Sequence, residues 1–186
     1  MGYDTDRTEK IVAQTRKWIA EVVIGCNFCP FAARVVKGNG IHYEVQGATK
    51  LSDCLESLWE ECRRLDADAS IETTLLIFPD AVPAFDDYLD LLAVAEKWLK
   101  KNGYEGIYQV ASFHPLYRFA QTAADDAANY TNRSIYPMLH LLREDQITKA
   151  LEHYPAPEQI PDNNIEFARA KGQLYMRMLR ESCFSG

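Results

Sequence analysis

Between Leu51 and Phe113 the spacing of apolar residues changes period three times, and that alternation limits the folds open to this chain. Leu51, Leu55, Leu58, Cys62 and Leu65 share one face of a helix. Ile71–Phe78 reads IETTLLIF, a strand ended by Pro79 and Asp80. Phe85, Tyr88, Leu89, Leu92 and Leu99 then face inward from a second helix, which Asn102-Gly103 closes after Lys101. Ile107–Phe113 returns to a strand. Upstream, Val35 and Val36 precede Gly38-Asn39-Gly40, and Ile41, Tyr43 and Val45 alternate with His42 and Glu44. Asn-Gly between two such runs predicts a hairpin over Ala33–Gln46, with His42 turned to solvent. The expected fold is α/β: a small mixed sheet of three to four strands, from a hairpin plus two right-handed crossovers, with helices packed on it.

The flanks read as helices. Ile11, Thr15, Trp18, Ile19, Val22 and Val23 make one apolar face over Thr8–Ile24, with Gly25 as a left-handed terminator. Pro137–Glu152 is expected to be helical, and His153–Pro157 to break it. Asp162–Cys183 forms a last amphipathic helix, with Met176 and Met178 read as core. One domain over residues 1–186 is expected. Within it, residues 1–32 carry the first helix and a Cys motif, 33–115 the α/β core, 116–154 a loop and helix, and 155–186 the C-terminal helical segment.

A net charge of −7 without any basic cluster argues against nucleic acid and anionic membrane as partners. The polar start has no apolar stretch of signal-peptide type, and no apolar run approaches the ~20 residues of a membrane helix, so a cytoplasmic protein is expected. In that setting the five cysteines are expected to be reduced. Cys54 and Cys62 would stand ~12 Å apart along a helix, too far to bridge, and read as packing. Cys183 reads as incidental.

Chemistry concentrates between Ile107 and Glu144. A strand runs out at Ser112, His114 and Pro115, and a polar connection then holds Asp125, Asp126, Asn129, Asn132, Arg133 and Ser134. His114 falls at the carboxyl end of a strand, where open α/β sheets bind ligands. Pro30 at the first position of a short helix would make Cys29 its cap, where the helix dipole lowers a thiol pKa; the alternative is that Cys29 and Phe31 plug the core. Cys29, His114 and His140 could thus form a thiol–imidazole arrangement. A lone histidine in so apolar a stretch is, however, usually a hydrogen-bonded core residue, and that is the other reading of His140. Cys26 and Cys29 have C-x2-C spacing, so a divalent metal held with His114 and His140 is a second reading. An oxygen-rich site at Asp125, Asp126 and Asn129 is also open, against a capping role for the aspartates. Thr131–Ser134 ahead of a helix start would suit a small anion, with Arg133 and Arg118 adding charge.

Gly25–Ala32 (GCNFCPFA), Ser112–Pro115 (SFHP) and Asn129–Glu144 (NYTNRSIYPMLHLLRE) resemble the signatures of an uncharacterised bacterial family, domain of unknown function 1415. The resemblance implies motif positions at Asn27, Cys29, Pro30, His114, Asn129, Asn132, Arg133, His140 and Arg143. This chain departs from the pattern at Cys26, where leucine is usual, and at Ile135, where proline is common; the first departure weakens the C-x2-C readings. The family has no assigned activity, so the grouping comes without a mechanism. The functional expectation is a small-molecule enzyme acting on an anionic substrate, with His114 as acid or base and Cys29 as nucleophile or second proton-transfer group. Asn27, Arg118, Asn129, Asn132, Arg133, Ser134 and Arg143 would bind that substrate. The alternatives are a metal-binding protein or metalloenzyme using Cys29, His114 and His140, and a non-catalytic binding module.

Overall fold

The computed structural model describes residues 4–47 and 49–185; Met1–Tyr3, where the polar N-terminus begins, lie outside the described residues. Helix α1 (Thr5–Trp18) is capped by Asp4, whose side chain accepts from the Asp6 N–H at 2.9 Å. It widens into a π-helical segment, Ile19–Ile24. Gly25 closes that segment with a right-handed φ of −60°, so the expected left-handed cap is absent. Its role is space: a Cβ there would sit 2.2 Å from the Glu21 carbonyl oxygen. The chain then turns through Asn27, at φ 55°, a conformation that asparagine tolerates better than most residues.

The expected hairpin is not formed. Its first arm is helix α2 (Ala32–Lys37), and the Gly-Asn-Gly signal closes that helix instead. Asn39 is left-handed at φ 53°, its N–H bonds the Val36 carbonyl, and the Gly40 N–H reaches the Val35 carbonyl at 3.0 Å. This is the Schellman arrangement, which uses the same residue types as a tight hairpin turn. The second arm is strand β1 (Ile41–Val45), as expected. Helix α3 (Leu51–Ala67), strand β2 (Thr73–Ile77), helix α4 (Phe85–Lys101) and strand β3 (Tyr108–Phe113) follow, matching the alternation in the sequence. Leu89, expected to face inward, is exposed on α4.

The largest difference lies after the connection 114–137. Met138–Arg143 is strand β4, not the first half of a helix; helix α5 (Glu144–Glu152) begins only beyond it. β4 inserts between β2 and β3 and is antiparallel to both, giving the order β1-β2-β4-β3 with β1 and β2 parallel. A central strand covered on both faces is apolar throughout, so its pattern cannot be told from a short buried helix. Helices α6 (Ile160–Lys171) and α7 (Gln173–Ser182) replace the single last helix, divided at Gly172 with φ 84°. Met176 is buried as expected, whereas Met178 is exposed.

The protein is therefore mixed α/β, with helices on both faces of one four-stranded sheet. On one face α3 and α4 cover Leu76, Leu139 and Leu141; on the other α1, α6 and α7 help enclose Leu75, Ile77 and Met138. No described helix is long and apolar enough to cross a membrane. The π-helical segment makes a specific test possible. Gly25→Ala should lower stability by about 1–3 kcal/mol, the usual cost of overpacking, in a urea titration. An unchanged midpoint would show that the close approach at Glu21 is not required.

Candidate functional site: a cavity over the sheet

A cavity of about 290 Å³ lies between the sheet and the N-terminal helices. Its floor is Leu75 of β2, Ala111 and Phe113 of β3 and His140 of β4; Trp18, Ile19, Val23 and Val35 form much of the roof. Cys29 and Phe31, on the bend that joins the π-helical segment to α2, complete one wall. The rim carries Arg34, Glu72, Gln109 and Gln146. Arg34 is already paired there with Glu72, at 2.6 and 3.3 Å.

His140 is the polar group at the bottom. Its neighbours across the sheet are Leu75 and Ala111, and its ring stands 6.0 Å from that of Phe113. It lies deep within the protein yet keeps partial accessibility, and the surface it exposes faces the cavity. Burial pulls its pKa down to about 4, so the ring is neutral at pH 7. Which nitrogen carries the proton follows from Thr73. The Thr73 hydroxyl donates its one hydrogen to the Leu141 carbonyl, so at 2.7 Å it can only accept from His140 Nε2–H. Nδ1 then holds the lone pair. A neutral imidazole with a fixed tautomer can accept a hydrogen bond, take a proton or ligate a cation.

Cys29 shares this cavity with His140, and His114 does not. The thiol is half-buried, and the Cys29 carbonyl accepts from the Ala32 N–H at 3.2 Å. Phe31, not Cys29, occupies the cap position of α2, so the expected dipole effect on the thiol lacks its geometry. Cys26 is buried, and burial raises its pKa. His114 leaves β3 toward the opposite face, against Phe85 and Tyr88 of α4, with ring centroids 5.4 and 5.0 Å away. Both its nitrogens serve the backbone: Nε2 meets the Val82 carbonyl at 3.0 Å and Nδ1 accepts from the Leu116 N–H. It is fully buried, which lowers its pKa. The Val82 carbonyl it holds belongs to a β-branched residue at φ 47°, a conformation that needs such support.

The remaining expected site residues knit loops together. Asn129 uses both ends of its amide: the oxygen accepts from the Phe119 N–H and lies 2.9 Å from the Thr122 hydroxyl, and the nitrogen donates to the Ala123 carbonyl. Asn132 donates to the Ser112 carbonyl. Arg133 donates to the carbonyls of Tyr117 and Ala124 and lies 4.8 Å over the Tyr130 ring. Ser134 donates to the Tyr136 carbonyl. No helix starts at Pro137, so the anion site expected there lacks its N-terminus, and its Arg133 is already held by backbone carbonyls. Arg143 donates to the carbonyls of Leu65, Asp68 and Ile71, closing the end of α3. Arg118 and Asp125 are exposed on the connection. Asp126 accepts from the Ala128 N–H and pairs with Arg169, the capping role rather than an oxygen-rich metal site. Sequence reasoning passed over Thr73, although it precedes an apolar run at the start of β2.

A model of the family described as Protein of unknown function (DUF1415) matches residues 10–178. The chain belongs to the DUF1415 family. No curated protein and no solved structure matches it. The family match takes in every residue that lines the cavity.

The burial of His140 sets a pH dependence. The unfolded histidine takes up a proton near its ordinary 6.5, whereas the folded one resists until about 4. The unfolded state binds more protons in that window, so stability falls as pH drops from about 6.5 to about 4, by roughly 3 kcal/mol for this group. His114 acts in the same direction. Replacing His140 with Gln should flatten part of the curve measured by urea denaturation between these limits. An unchanged slope would place His140 in contact with water.

Proposed function

We propose that the protein binds a small, mostly apolar molecule in the cavity over the sheet, and that His140 and Cys29 are the groups that act on it. The observation that carries this reading is the free Nδ1 of a neutral imidazole at the floor of a half-open, largely apolar cavity. Binding sites combine apolar walls with a few convergent polar groups, and here those groups are His140 and the Cys29 thiol. The ligand's polar end donates a hydrogen bond to Nδ1. Its body lies against Phe113, Trp18 and Phe31. An anionic substrate is less well served, because Arg34 is held by Glu72 and Arg143 by backbone carbonyls.

In the catalytic form of this reading, His140 rather than His114 takes the proton, and Cys29 is the nucleophile or second proton-transfer group. A pKa near 4 makes His140 a weak general base, which favours binding without turnover as the second reading. Brief iodoacetamide treatment at neutral pH separates an accessible thiol from packed ones. Cys54 and Cys62 are fully buried, with pKa values pushed up to about 11 and about 12, and should stay unlabelled. Cys29 should be labelled first, and Ala111→Trp, which fills the cavity floor, should slow that labelling in a chain that still folds. Equal inertness of Cys29, Cys54 and Cys62 would remove the thiol from the proposal.

A further inference from the structure

A second constellation lies across β1 from the cavity. Ile41, Tyr43 and Val45 face the N-terminal helices, so His42 and Glu44 turn toward α3. There His42 Nε2 stands 3.5 Å from Glu44 Oε2 and 3.6 Å from Glu61 Oε2. Both separations are longer than an N–H···O hydrogen bond. Nε2 is itself buried and has no hydrogen-bond partner among the described residues. Glu61 is only 1% exposed, an unusual position for a carboxylate unless it is paired or holds a cation.

These spacings suit a bound ion. A divalent cation about 2.0–2.2 Å from each of its ligands holds them roughly 3.3–3.6 Å apart in tetrahedral geometry. The three ligating atoms lie within 4.8 Å of one another. Thr74 supplies an independent sign. It is the register partner of His42 on β2 and faces the same side of the sheet, is fully buried, and its hydroxyl has no partner among the described residues. A buried hydroxyl without a partner is costly, and water on a metal ion would satisfy it.

We infer that His42, Glu44 and Glu61 hold a divalent first-row transition ion, with the fourth position left to a water beside Thr74. Two carboxylates balance the charge, and the imidazole favours zinc or a neighbouring ion over magnesium or calcium. Arg64 now supplies positive charge to the carboxylates: its Nε lies 3.0 and 3.2 Å from the Glu61 oxygens, and its Nη2 3.8 Å from Glu44. Its side chain is 44% exposed, so it can swing outward or stay on Glu61 Oε1 as an outer partner while Oε2 takes the ion. Three protein ligands with one open position is the pattern of reactive rather than purely structural zinc sites.

Calorimetric titration of EDTA-stripped protein with zinc chloride at pH 7 should give one ion per chain. His42→Gln should weaken binding at least about tenfold, since losing even an outer partner of a metal site costs that much. His42 is partly exposed, so this variant is expected to fold, and circular dichroism checks that it does. Cobalt(II) substituted at the site should give a tetrahedral spectrum without a thiolate charge-transfer band, which separates it from any ion captured by Cys26 and Cys29. Absence of saturable binding, equal binding by folded His42→Gln, or a thiolate band would each overturn the inference and leave the cluster as an ion-pair network.

Discussion

The geometry around the cavity depends on one strand, Met138–Arg143, being locked between β2 and β3. Its hydrogen bonds run to both neighbours, and Leu139 and Leu141 are fully buried on the α3 and α4 side. Truncating either leucine would cost on the order of 2–5 kcal/mol, which is the scale of force that fixes the register. A slip of one residue would send His140 to the opposite core and bring a leucine to the cavity floor. The position of the imidazole thus follows from apolar packing on the other face of the sheet.

Thr73 refines that placement. A strand hydroxyl with a single hydrogen can donate only once, and the Leu141 carbonyl takes that hydrogen. The ring of His140 is therefore turned by β2, its neighbour in the sheet, and not by any acidic residue. This differs from a thiol–imidazole pair oriented by a carboxylate; burial, and not the Thr73 hydrogen bond, keeps the histidine neutral. His114 shows the other way to bury an imidazole: both nitrogens are consumed by backbone groups, and the side chain becomes a brace for the strained Val82 loop.

The α/β alternation between Leu51 and Phe113 was readable because each element is long and strictly periodic. Two features defeated that reading for the same reason, that one residue pattern serves two structures. Gly38-Asn39-Gly40 allows the left-handed backbone that either a hairpin or a Schellman cap requires. Met138-Leu139-His140-Leu141-Leu142 is apolar on both faces of a central strand, as a buried helix would be. The polar connection drew attention for its density of binding groups, yet Asn129 and Arg133 spend those groups on its own backbone and Asn132 on the Ser112 carbonyl of β3. Cys29 and His140 were identified as chemistry-bearing residues, but no spacing could say that they share a cavity and His114 does not. The partners that decide the state of His140, Thr73 and the Leu141 carbonyl, are set by cross-strand register rather than by local sequence.

The central claim is that His140 is a neutral imidazole with its proton on Nε2 and a free Nδ1 facing the cavity. Long-range proton–nitrogen correlation spectra of protein labelled with ¹⁵N at histidine read this directly. The account predicts a single unprotonated Nδ1 and a protonated Nε2 for His140, unchanged from pH 7 down to about pH 5, since the pKa lies near 4. A proton on Nδ1 at neutral pH, or titration near 6.5, would contradict it.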